Sequence, residues 1–193
     1  MLDLGPAARR MTTLLEGVTD DQLTAPTPCE NYRLGDLVDH IDGLTRAFTA
    51  AATKDHAETG DQQPTADARR LAPDWRTRIP TQLAALAEAW RAPQAWQGTT
   101  RAGGIDLPGE VAGLVALDEL VLHGWDVARA TGQPYDIDTP SLEGCMEFVS
   151  AMSTPDQLDS REGLFGPIVP VPPDRPLLDR VLGLSGRDPA WTA

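Results

Sequence analysis

Glu119 and His123 stand four residues apart in the stretch Leu117-Asp118-Glu119-Leu120-Val121-Leu122-His123. On a helix, positions i and i+4 project from one face a turn apart, so this carboxylate and imidazole can close on a single metal ion. The same spacing also fits an ordinary i,i+4 ion pair at a surface. The flanking sequence separates the two cases. From Val111 to Ala130 the residues are apolar almost all round, the pattern of a helix surrounded by protein. A lone glutamate there would leave water unpaired, at several kcal/mol, or neutralise. A cation removes that difficulty. His40 lies on a second apolar helix face and is the natural third ligand. Two histidines and one carboxylate leave a coordination position for water or substrate, as in catalytic zinc centres, and the same set suits non-haem iron or nickel.

Other residues bear on this constellation. Asp126, three beyond His123, is placed to orient an imidazole N–H from behind the metal or to help cap the helix. Asp36, four before His40, could do the same, or stabilise the first turn of its helix through the dipole. Cys29, just ahead of that helix, reads as a buried inert thiol or as one acidified by the helix N-terminus, and Cys145 as inert. His56 falls in a polar stretch and reads as solvated. No G-x-G-x-x-G, P-loop, G-x-S-x-G or C-x-x-C motif occurs. The five tryptophans read as core or rim.

Periodicity supplies the elements that must position these groups. Ala7, Met11 and Leu14 predict a helix over 4–15, and a capped short turn follows at Thr19-Asp20-Asp21-Gln22. Leu37, His40, Ile41, Leu44, Ala47, Phe48 and Ala51 form the inward stripe of a helix over 33–52, with Asp39, Asp42, Arg46 and Thr49 facing away. A polar loop is expected over 54–68. Trp75, Ile79, Leu83, Leu86 and Trp90 give a third stripe, with Pro80 expected to kink it or delay its regular part. Residues 91–108 read as a Gly/Thr/Pro connection with a short extended piece. The metal helix follows over 108–131, with Gly132 as its C-terminal cap. A fifth helix starts near Pro140. Beyond Thr154 come a proline-stiffened strap and a short helix over 176–184. These stripes predict an all-α fold, an up-down-up-down four-helix bundle over 1–153 with ligands projecting inward, and a strap and short helix over 154–193 packed on it in the same domain.

Composition narrows the function classes. The chain has 193 residues, 41% of them hydrophobic, enough for one domain with a real core. Its net charge of −13 would repel a phosphate backbone or an anionic membrane surface. No apolar run approaches membrane-spanning length and no basic leader opens the chain, so a cytoplasmic location is expected. Two cysteines are too few for a disulfide framework. One lysine, Lys54, stands against fifteen arginines, which leaves a Schiff-base enzyme only that residue to use.

Three pieces of sequence carry a resemblance. Thr27-Pro28-Cys29 followed by Leu34, Leu37 and His40 resembles the T-P-C-x-x-W-x-V-x-x-L-x-x-H signature of actinobacterial DinB-like metal-binding proteins, which are related to the N-terminal domain of mycothiol-dependent maleylpyruvate isomerase. Glu119-x-x-x-His123-Gly124-Trp125-Asp126 resembles that family's second signature, and Phe165-Gly166-Pro167 with Gly186-Arg187-Asp188-Pro189-Ala190-Trp191 its third. Tyr32 and Leu34 stand where the signature has Trp and Val. The resemblance implies a DinB-type bundle with a divalent metal, zinc ahead of nickel or iron, on His40, Glu119 and His123. It also implies mycothiol as thiol cosubstrate. The expected function is a metal-dependent thiol transferase or isomerase acting on a small electrophile. The alternative is a non-catalytic metal-binding protein whose ion stabilises the bundle or is sensed. A homodimer is left open.

Overall fold

The structure is a computed structural model describing residues 1–30, 32–55, 66–157, 161 and 163–193. The apolar stripes become helices within one or two residues of their expected ends. They are α1 (Gly5–Glu16), α2 (Leu34–Thr53), α3 (Trp75–Ala89), α4 (Gly109–Thr131), α5 (Thr139–Ala151) and α6 (Leu177–Leu184). The expected turn after α1 is a 3-10 helix, Asp20–Thr24, closed by a capping box between Thr19 and Gln22. Helix α2 starts on the same logic, with Asp36 reaching back to the Arg33 amide at 3.1 Å. Gly132, at φ +69°, ends α4 in the left-handed conformation. Pro80 lies inside α3 without ending it. His56 and most of the expected polar loop lie outside the described residues.

Helices α1 to α4 form an all-α four-helix bundle in which α4 packs on α1 and α2, and α3 packs on the other side of both. Paired residues fix the directions. Asp42 meets Arg78, Thr45 meets Gln82, and the Phe48 carbonyl accepts from Trp90 Nε1, so α2 and α3 climb together. Arg91 lies near Asp3 and Arg76 donates to the Val18 carbonyl, so α1 runs against α3. His40 near the start of α2 meets Glu119 in the middle of α4. A Cβ on Gly113, near the start of α4, would touch Trp90, which itself bonds the Phe48 carbonyl late in α2. Helix α4 therefore runs against α2.

The order is thus up-down-down-up, where strict alternation was expected. The reason lies between α2 and α3. The chain leaves α2 at one end of the bundle, yet the Asp67 and Ala68 amides bond Asp39 and Asp36 at the other end, before α3 begins. Because the described ends of the connection lie at opposite ends of the bundle, the consecutive helices run parallel. The same arrangement corrects the reading of two aspartates. Asp39 and Asp42 were expected to face water, but both are buried, paired with Arg70 at 2.9 Å and Arg78 at 3.2 Å.

Between α3 and α4 the extended piece is a hairpin, β1 (Thr99–Ala102) and β2 (Ile105–Pro108), turned by Gly103 and Gly104 at φ +57° and +80°. It is tied to the end of α2 by Thr100 Oγ1 on the Ala51 carbonyl. Helix α5 packs on α4 and α6 on α5. Arg161, buried, gathers the Ser153 hydroxyl and the carbonyls of Gly166 and Leu184. Among the described residues, no helix is long and apolar enough to cross a membrane.

A candidate metal centre between α2 and α4

Because α1, α2 and α5 all pack on it, α4 is buried on nearly every face from Ala116 to Ala128. Glu119 and His123 lie on the face toward α2. Glu119 and His123, singled out by spacing, and His40, chosen for its apolar helix face, converge there. Glu119 Oε2 lies 2.9 Å from His123 Nε2 and 4.0 Å from His40 Nε2. The two imidazoles stand edge to face with centroids 5.1 Å apart. One ligand atom from each residue falls within 4.8 Å of the others. Four-coordinate zinc with bonds of about 2.0–2.1 Å separates its ligand atoms by roughly 3.3 Å. The observed distances bracket that value, so this donor set fits a divalent ion of zinc size. Side-chain exposures are 12% for His40, 23% for Glu119 and 8% for His123, leaving Glu119 the most open of the three.

Behind His123 lies a chain of ionic contacts. Asp126 accepts from His123 Nδ1 at 2.9 Å, which presents Nε2 to Glu119. Asp126 is itself held by Arg187, Nε to Oδ1 at 2.8 Å and an Nη to Oδ2 at 2.8 Å, a two-pronged pair. Burial disfavours the Asp126 carboxylate, but the Arg187 guanidinium outweighs it and holds the acid below its ordinary range. Burial likewise opposes ionised Glu119; the His123 bond and the two imidazoles more than offset it. Burial pulls the His123 imidazole down, yet hydrogen bonds to Asp126 and Glu119 push it up to about 9. Without a metal, His123 is thus an imidazolium bridging two carboxylates.

Asp36, the other residue proposed to support the ligands, has its two oxygens on the Arg33 and Ala68 amides, where they fix the start of α2. Three residues near the site escaped the sequence reading or were given no role. Arg187 stood in a closing motif only; a buried aspartate on an apolar helix demands a cationic partner, and that demand was its signal. Cys29 is half-exposed rather than buried, and its sulfur lies within 4.8 Å of His123 and Asp126 ligand atoms. Both Asp126 oxygens already accept from Arg187, so this second cluster extends the network rather than forming another ion site. Tyr32 sets its ring 5.2 Å from that of His40, tilted by 46°. Burial foremost, then Cys29 and Glu119, raise its phenol above the usual range. Cys145 is fully buried as expected, against Asp118, and its thiol is pushed up by burial.

Residues 4–128 match the family described as mycothiol maleylpyruvate isomerase N-terminal domain. Two uncharacterized proteins of Mycobacterium tuberculosis, one from each of two strains, are 29% identical over 175 residues, covering 90% of this chain and 90% of theirs. A crystal structure of the mycothiol-dependent maleylpyruvate isomerase aligns with a TM-score of 0.51 at 17% identity, over 78% of this chain and 67% of that one. That likeness is one of fold.

Proposed function

The chain belongs to the mycothiol maleylpyruvate isomerase N-terminal domain family, and on that premise we propose that it holds one divalent ion on His40, Glu119 and His123 and uses it to activate mycothiol toward a small electrophile. The observation that carries the reading is the convergence of three donors from two helices, His40, Glu119 and His123, found as one cluster among the described residues. A bound cation would supply Lewis-acid stabilisation of a thiolate at neutral pH. The protein's own residues do the rest. Asp126, fixed by Arg187, holds the Nδ1 side of His123 and so turns Nε2 toward Glu119, where an ion would take the place of the Nε2 proton. Tyr32 forms an aromatic wall against His40. On the bundle side Glu119 borders a small, mainly apolar cavity walled by Ile41, Leu44, Phe48 and Leu120. Zinc is the first choice, with nickel or iron compatible with the same donors. Residues 154–193 belong to the same folding unit on this reading, because Arg187 ties them to the centre.

Metal analysis tests the ligands. The parent should carry about one divalent ion per chain, His123→Ala should lose most of it, and His56→Ala should match the parent. Equal content in all three sinks the assignment. Cobalt substitution tests the thiol: mycothiol should produce an intense sulfur-to-metal band in the parent and none in Glu119→Ala. If thiol leaves the spectrum of bound cobalt untouched, the site is a non-catalytic metal centre. In that second reading the ion clamps α2 to α4, since its ligands come from both helices.

A further inference from the structure

Resting on the thiol-activating reading above, we infer that the Tyr32 hydroxyl is the group that binds the oxygen of the electrophile, the atom on which negative charge develops when the thiolate attacks. The substrate is then an epoxide or a carbonyl-conjugated alkene, which share such an oxygen. The signature given above has Trp at this position, so the phenol belongs to this chain and not to the family pattern.

The backbone that carries the phenol is fixed. The Tyr32 amide donates to the Cys29 carbonyl at 2.9 Å, and the buried Thr27 hydroxyl lies 2.8 Å from the Tyr32 carbonyl and 3.0 Å from that of Cys29. Pro26 and Arg33 pair across this turn, just ahead of α2. The ring is fixed too. It leans on the His40 imidazole at 5.2 Å, and the Glu119 carboxylate lies close enough for its charge to bear on the phenol. His40 and Glu119 come from the two helices that would hold the ion, so a hydroxyl near both borders the centre. Glu119 is also the most exposed of the three proposed ligands, which puts the phenol on the side that solvent reaches. Tyr135 shows the structural use of a phenol in this fold: its hydroxyl donates to the Val121 carbonyl at 2.7 Å. The Tyr32 hydroxyl makes no hydrogen bond to a described residue, and with the ring half-buried that donor faces water or a ligand. A phenol is protonated at neutral pH and a strong donor, the group that a developing oxyanion requires.

Tyr32→Phe keeps the ring against His40 and removes only the O–H, so it tests the assignment on the zinc-loaded full chain with mycothiol as nucleophile. Propylene oxide, methyl vinyl ketone and propyl bromide are the probes. In the epoxide the thiolate sulfur bonds a ring carbon, that carbon's C–O bond breaks, and the oxygen keeps the pair until water protonates it. In the enone the sulfur bonds the terminal alkene carbon, the π pair moves onto the carbonyl oxygen as an enolate, and the α carbon then takes a proton from water. In the bromide the sulfur bonds carbon and bromide leaves with the pair, so no oxygen gains charge. At equal zinc content the variant should lose about tenfold or more in kcat/KM on the epoxide or the enone and stay within about twofold of the parent on the bromide. Which of the two oxygen probes shows the loss identifies the class. An equal loss on all three makes Tyr32 a packing residue, and no loss on any frees the oxygen from it; either overturns the inference. Acetate binding keeps this distinct from a failure of the thiol chemistry. On cobalt-loaded protein without thiol, acetate would take the open position through one oxygen and offer the other to Tyr32. Read from the cobalt absorption bands, acetate should bind about fivefold more weakly to Tyr32→Phe, and thiocyanate equally to both. If the parent turns over none of the three electrophiles, thiol activation fails as a function, and the Tyr32 assignment stands or falls on acetate. Equal acetate affinity in parent and variant, or none in the parent, counts against it.

Discussion

Arg187 acts on one of the three proposed ligands through Asp126. Its two-pronged bond keeps Asp126 ionised and aimed at His123 Nδ1. Removing the guanidinium leaves a buried carboxylate without its cation, free to take a proton or turn away from the imidazole. Partners behind a metal ligand typically govern affinity by about 10–100-fold. Arg187→Gln should therefore weaken zinc binding, measured by chelator competition, by about that factor while far-UV circular dichroism stays near the parent. Arg187→Lys should recover part of the loss, since charge returns without the fork geometry. Unchanged affinity in Arg187→Gln would show that Asp126 needs no help. The contrast between Arg187 and Glu119 also explains what a sequence can reveal. Glu119 and His123 are neighbours because a helix makes them so, and four residues of spacing carry that information. The pairing of Arg187 with Asp126 spans 61 positions and depends on α6 folding back along α5, which no local pattern encodes.

Helix stripes told where α1 to α5 lie, because an amphipathic face must be buried and its period is fixed by the 3.6-residue turn. They did not tell which way α3 runs. A stripe has the same period in either direction, and the connection between α2 and α3 is polar sequence with no signal of where it leads. The misread aspartates have a related cause: Asp39 and Asp42 are polar by type, but Arg70, just ahead of α3, and Arg78 within it pair with them as they are buried. Close packing between elements was likewise invisible. A Cβ on Gly113 would sit 2.5 Å from Trp96 and 3.0 Å from Trp90, rings that pack edge to face against each other. Neither ring yields easily, so Gly113→Ala should destabilise the fold by about 1–3 kcal/mol. For a chain of this size that lowers the melting temperature by roughly 2–4 °C per kcal/mol. Metal content should not change, because Gly113 lies more than a turn and a half from Glu119. A melting curve equal to the parent's would mean that the tryptophans move aside without strain.

At the scale of the whole molecule, the proposed ion and a proton would compete for the same place. In the metal-free protein His123 titrates near 9 because it bridges Glu119 and Asp126, whereas an unfolded chain returns it to about 6.5. A group whose folded pKa is raised stabilises the fold fully below the unfolded value and loses that contribution as pH climbs through the folded one. Glu119 and Asp126 both lie below their ordinary values and stay ionised throughout this window. Between pH 6.5 and 9 the metal-free protein should therefore become less stable, on the order of 1 kcal/mol per pH unit. The loaded protein behaves differently. The proposed ion would replace the His123 proton, so apparent affinity should rise about tenfold per pH unit over the same range and level off above it. Since a ligand bound only to the folded state stabilises it in proportion to the logarithm of its affinity, the ion gains influence as the proton loses it. Chelation should lower the melting temperature while leaving helical content largely intact, because α1 and α3 contribute none of the ligands and the imidazolium still links the carboxylates. The gap between loaded and chelated protein should widen from pH 6.5 to 9 by roughly 2–4 °C per pH unit. Paired melts across that range by circular dichroism, with metal removal verified, measure it. A gap that stays constant or narrows would mean that His123 does not exchange a proton for the ion, and the ligand assignment would have to move elsewhere.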